Sequence, residues 1–269
     1  MKKIKGVVLI ELLIAALLGA MIIIFLMQMY LASARSEQLQ QALQQIQMNG
    51  KNAAAMLLTA VQRTGQIGCM QLGADYPKLV YQTDTLTAQN KLMGNDEMFT
   101  VRGMEYLSTA TASAKNNVVL LAAKNQAIKS EQLLVIADCQ HAELLKIANV
   151  SDQRLQTVNP LKNNYENDAE IGRFVIEKYF IAKTNRFYSN GEAVYALYRE
   201  DNNEGKMELV EGIQQMKINY VLKKGGTLSE VAAAQVGDWS QVVAATFELT
   251  VVAPPFKKIW YVYGAIGSL

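Results

Sequence analysis

Glu11 is the one charged side chain between Lys5 and Arg35, and its neighbours from Val7 to Met27 are almost all Val, Leu, Ile, Ala, Met and Phe. A carboxylate near the start of such a run costs a few kcal/mol in a bilayer unless something compensates it, so an acid placed there is a functional candidate. The chemistry it suits is charge pairing. Cutting the chain between Gly6 and Val7 would free an α-amino group four residues from Glu11, which puts ammonium and carboxylate on one face of a helix.

Other reactive side chains are few. Two cysteines, Cys69 and Cys139, fit an oxidising compartment, where they form a bridge or remain two buried thiols. A bridge would tie the segment after the first helix to a strand and stabilise the fold by about 4 kcal/mol in the chain-entropy model. Asp138 and His141 beside Cys139 suggest a thiol with a base, or a strand end with an exposed histidine. Glu166, Asp168 and Glu170 read as a Ca²⁺-holding cluster or, more simply, as a solvated loop. Two cysteines and one histidine do not complete a zinc set. The chain has no Gly-x-Ser-x-Gly elbow and no phosphate-binding glycine loop. The expectation is a protein that is not an enzyme and takes no cofactor or metal.

The flanks of Glu11 define the element that positions it. Met1–Gly6 carries Lys2, Lys3 and Lys5, a basic segment that stays cytoplasmic by the positive-inside rule. The 21-residue apolar run is long enough to span a bilayer and longer than a secretory signal core. Ala32-Ser33-Ala34 fits a small-x-small cleavage site, so signal-peptide removal and an uncleaved anchor are the alternatives. Ser33 to Gln66 favours helix, with Leu39, Leu43, Ile46, Gly50, Ala53, Leu57 and Val61 forming one apolar stripe. Residues 7–30 therefore read as a membrane-spanning half and 31–66 as an amphipathic half of one helix. It would be on the order of 90 Å long, with Gly19 and Gly50 as points where it bends.

Residues 67–269 read as one strand-rich domain outside the membrane. Val118–Leu121 and Leu133–Ala137 are short apolar runs, while Asp84–Asn95 and Leu155–Asn167 read as polar loops. Phe174, Ile176 and Phe180 share one strand face. Asn190-Gly191, Asp201–Gly205 and Gly225-Gly226 are hairpin turns. Met216, Ile218, Tyr220 and Leu222 alternate, as do Val243, Ala245, Phe247, Leu249 and Val251 before Pro254-Pro255. The fold class is α+β, with the long helix packed on a mostly antiparallel sheet. The 26 basic and 24 acidic residues give a net +2. Removing Met1–Gly6 takes three lysines and leaves 23 against 24, so no nucleic-acid-binding field remains.

Lys5-Gly6-Val7-Val8-Leu9-Ile10-Glu11-Leu12-Leu13 resembles the prepilin-peptidase signature of type IV pilins and type II secretion pseudopilins. The resemblance implies cleavage by the prepilin peptidase after Gly6, N-methylation of Val7, and Glu11 as the retained fifth residue, which meets a neighbouring subunit's terminal amine in a filament. The family usually carries Phe or Met where this chain has Val7. Asn49–Ala53, Gly65–Cys69, Leu133–His141, Tyr179–Ile181, Ala196–Arg199 and Glu208–Ile213 with Gln215–Tyr220 are similar to segments of the PilW family of minor pilins. That family tends to carry an aromatic where this chain has Gly50–Ala54. The resemblance implies a subunit that primes pilus assembly and sits at the tip with other minor pilins above the major pilin. It implies storage in the bacterial inner membrane with the domain in the periplasm, then display on the cell surface, and no small-molecule substrate. Tyr179, Tyr188, Tyr195, Tyr198 and Tyr220 would serve strand packing or contacts with other pilins. The alternatives are a J-type minor pseudopilin of type II secretion and an anchored periplasmic binding or enzymatic domain.

Overall fold

The computed structural model describes residues 7–71, 79–81, 84–86, 90–111, 114, 116–122, 128–202 and 205–267. One helix, α1 (Val7–Gln62), precedes a succession of strands. They are β1 (Gln66–Ile67), β2 (Met70–Gln71), β3 (Leu79–Tyr81), β4 (Asp84–Leu86), β5 (Leu92–Gly94) and β6 (Met98–Thr109). Next come β7 (Val118–Leu120), β8 (Leu133–Ala137), β9 (Ala142–Ser151), β10 (Arg154–Thr157) and β11 (Glu170–Phe187). The last are β12 (Ala193–Asp201), β13 (Gly205–Glu211), β14 (Ile213–Lys224), β15 (Thr227–Ala232), β16 (Val242–Ala253) and β17 (Phe256–Ala265).

This is an α+β arrangement in which every strand pairing among the described residues is antiparallel. Two main sheets are present where one was expected. The larger runs β13-β12-β11-β8-β9-β10-β7, with β6 also paired to β11 and β5 to β6. The smaller runs β15-β14-β16-β17. They meet at Gly212, whose N–H donates to the Tyr195 carbonyl and whose carbonyl accepts from Val252 N–H, both at 2.8 Å. Gly212 has φ +74°, and a Cβ there would lie 2.8 Å from the Val252 carbonyl oxygen. Only glycine meets both conditions.

The second half of α1 packs into the angle between the sheets. Ile46, Ala53, Leu57 and Val61 are buried, as the stripe predicts. Leu39 and Leu43 are 42% and 46% exposed, and Ala42 takes the buried position instead. Leu39 precedes the first buried helix position, Ala42, and Leu43 lies on a side of the helix that the domain leaves open. The core under the helix joins Phe99, Val101, Tyr179, Leu197 and Val210 of the larger sheet to Met216, Ile218, Tyr220, Phe247, Leu249 and Val251 of the smaller. A second core lies between β7–β11 and Tyr165.

Helical structure continues through Gly19 and Gly50, with no break at either. Gly50 is a notch: a Cβ there would collide with the Trp260 indole of β17. The two stretches read as loops contain structure, because Asp84–Leu86 pairs with β3, Leu92–Gly94 pairs with β6, and Arg154–Thr157 forms β10. Leu155 and Tyr165 are both fully buried. On β11, Tyr179 is buried and Phe180 lies on the other face, stacked on Tyr198. On β16 the helix-facing row is Ala245, Phe247, Leu249, Val251 and Ala253, and Val243 is outside it. Gly191 has positive φ, as do Gly225 and Gly226, as their turns require. In the Asp201–Gly205 hairpin those two residues pair, while Asn203 and Glu204 lie outside the described residues.

Candidate functional site

Glu11 sits in the fifth position of α1, one turn beyond Val7. Gly6 lies outside the described residues, and Val7 is described as the first helical residue by its backbone alone. From Ile10 to Gln41 no side chain is buried. Glu11 has no hydrogen-bond or ion-pair partner among the described residues. The helix is long and apolar enough to cross a membrane. Its apolar half exposes a continuous surface of Ile, Leu, Met and Phe that includes Ile14, Leu17, Met21, Ile24 and Phe25. Such a surface needs lipid or protein around it. Within it a carboxylate is costly unless something compensates its charge.

At the other end of α1, local geometry builds the Cys69–Cys139 disulfide, with Cα atoms 5.3 Å apart. The chain leaves the helix through Gly65 (φ +72°), whose N–H donates to the Arg102 carbonyl at 2.8 Å. Gly68 (φ +57°) then passes against Ala137 so closely that a Cβ would lie 3.0 Å from the Ala137 Cβ. Asp138 Oδ1 accepts from the N–H groups of Gln140 at 2.7 Å and His141 at 2.6 Å, and this shapes the turn that presents Cys139. The bond consumes both sulfurs, so the thiol-and-base reading of Asp138, Cys139 and His141 is overturned. Beside it lies an open cleft of about 430 Å³ that also includes Glu166, Asp168 and Glu170. Among the described residues no three Asp, Glu, His or Cys side chains converge to hold a metal ion.

A charged network near the helix end was not visible in the sequence. Arg173 Nη2 donates to Glu105 Oε2 at 2.6 Å, and Arg199 lies 3.5 Å from Glu177 and 3.4 Å from Asp201. The Tyr179 hydroxyl donates to Glu177 at 3.0 Å, and burial, with the Glu177 charge, pushes the phenol well above its usual range. The signal is register. Arg173 stands opposite Glu105, and Tyr179 opposite Arg199, only once β11 is paired with β6 and β12. Opposite charges across a strand pair stabilise by roughly 0.2–1 kcal/mol, so this network helps to fix the pairing.

The tyrosines divide in two. Tyr179 and Tyr220 are core residues, and the Tyr188 hydroxyl donates to the Val252 carbonyl at 3.0 Å. The exposed ones, Tyr30, Tyr106, Tyr261 and Tyr263, are not those the sequence singled out. Segments far apart in sequence converge on the helix: Asn49 Nδ2 donates to the Glu211 carbonyl at 2.9 Å, beside Gly212. Compared with known proteins, the chain matches no protein-family model, no curated protein and no solved structure.

Proposed function

We propose that this chain is a minor pilin, a non-enzymatic structural subunit that initiates assembly of a bacterial type IV pilus near the filament tip. The observation that carries the reading is one continuous helix with two environments. Its first half is apolar and exposed on all sides around the single acid Glu11, and its second half is seated on the domain. In this reading the chain is held in the inner membrane with its domain in the periplasm. The prepilin peptidase removes Met1–Gly6, and Val7 is N-methylated. Glu11 then exchanges its own terminal amine for that of an adjoining subunit, whether another minor pilin or the major pilin. A charge pair in an apolar layer tolerates few staggers, which sets the register of assembly.

Mass spectrometry of the mature chain tests this. N-methyl-Val at residue 7 is expected, while an intact Met1 or a start near Ser36 overturns pilin processing. Deleting the protein and scoring surface pili against secreted enzymes separates a pilus subunit from a pseudopilin of type II secretion.

A further inference from the structure

The face of the smaller sheet turned away from α1 has an organisation that packing does not require. Trp260 and Val262 of β17 point toward the helix-side core, and Tyr261 and Tyr263 point outward, 76% and 58% exposed. Strand register continues each ring into a polar row. Tyr261 pairs with Glu248, which pairs with Lys217, and Tyr263 pairs with Thr246, which pairs with Asn219. The rows lie about 7 Å apart along the strands and each crosses three strands over about 10 Å. They line a shallow cleft of about 280 Å³.

The polar groups of this floor leave hydrogen-bonding capacity open to solvent. Glu230 of β15 is fixed from below, its Oε1 accepting from Thr246 Oγ1 at 2.6 Å and Asn219 Nδ2 at 2.9 Å. These bonds hold its carboxyl below the usual carboxylate range, so it stays ionised. Its second oxygen and the Asn219 side-chain Oδ1 remain as acceptors. Lys217 and Glu248 stand opposite each other, yet form no ion pair with one another or with any other described residue. Two flat rings, three acceptors and one ammonium thus face solvent on a floor of about 10 by 7 Å.

We propose that this face is a saccharide-binding site for a hexose chain, neutral or amine-bearing. Apolar C–H faces of the sugar lie on the tyrosine rings, and its hydroxyls donate to Glu248, Glu230 and Asn219 while accepting from Lys217. Two carboxylates against one ammonium disfavour an acidic sugar. The proposal does not rest on the pilus reading.

Isothermal titration of the full chain, in a detergent without a sugar headgroup, tests it with cellohexaose, a chitosan hexamer and a hyaluronan hexamer. Cellohexaose or the chitosan hexamer should bind with a Kd on the order of 1 mM. Tyr261→Ala and Tyr263→Ala should each weaken binding by about tenfold, and Tyr261→Phe by no more than about twofold. Glu248→Gln should weaken the chitosan hexamer more than cellohexaose. If the alanine variants do not fold, Glu248→Gln and Lys217→Met, which leave the rings in place, carry the test. The proposal falls if neither sugar binds at about 10 mM, or if hyaluronan binds best. It falls equally if removing both rings changes nothing, or abolishes self-association of the chain and not sugar binding.

Discussion

At Gly50 the helix carries no side chain because the Trp260 indole already fills that space. Alanine there would gain about 1 kcal/mol of helix propensity and lose about 1–3 kcal/mol to overpacking. The approach is so close that overpacking wins, and Gly50→Ala should lower the urea midpoint by about 1 kcal/mol equivalent. In a Trp260→Ala background the same change should become neutral or stabilising, which a double-mutant cycle reads directly. Tyr165, Tyr179 and Tyr220 carry phenols raised first by burial, then for Tyr165 and Tyr179 by the nearby Glu143 and Glu177 and for Tyr220 by Asp96. The folded chain holds these protons after the unfolded chain, with tyrosine pKa near ~10, has released them. The stability they contribute is complete below about pH 10 and is lost as pH rises above it. Urea midpoints measured with phenolate absorbance should show cooperative unfolding and tyrosine ionisation together. Independent ionisation of all tyrosines in the folded state would contradict this. Glu11→Ala should leave leader removal intact and abolish incorporation into filaments. Incorporation at wild-type level, read by immunoblot of sheared filaments, would remove the charge-pair mechanism.

Elements differ in how openly they were written in the chain. The helix was legible because Ile46, Ala53, Leu57 and Val61 recur at spacings of three and four. Leu39 and Leu43 continue that spacing and stay exposed, since periodicity marks an apolar face without saying what covers it. The Asn190-Gly191 and Gly225-Gly226 turns were legible because left-handed backbone needs particular residues. β6 was not, because its buried parity shifts at Gly103-Met104, where the burial alternation breaks. Asp84–Leu86 and Leu92–Gly94 hid in polar sequence for another reason: each is three residues long and is defined only by its hairpin pairing, with β3 and with β6. The candidate site follows the same division. Glu11 stands out against local composition, but the Tyr261–Glu248–Lys217 row exists only through register. Since no side chain from Ile10 to Gln41 is buried, deleting residues 1–34 should release the chain from membranes without lowering its urea midpoint. A drop of more than about 1 kcal/mol would show that the apolar half supports the domain.

For the whole molecule, the disulfide adds a covalent link to a junction that packing also makes. Cys69 follows the helix and Cys139 lies between β8 and β9, at a sequence separation of 70. Cys69→Ser should cost about 4 kcal/mol in the chain-entropy model, read as a lowered denaturant midpoint that added reductant does not lower further. Beneath the bond, Ile67, Val135, Ala137 and Phe174 form a small core of their own. The same connection has a mechanical side. A pull along the apolar half of α1 reaches the smaller sheet through noncovalent contacts, among them the Trp260 peg and the bond from Gly267 N–H to the Gln62 carbonyl. It reaches the larger sheet through a covalent bolt just past the helix's far end. Under traction the peg would yield first while the bolt kept the body on its leash, so a subunit hauled by its stem would stretch before it came loose.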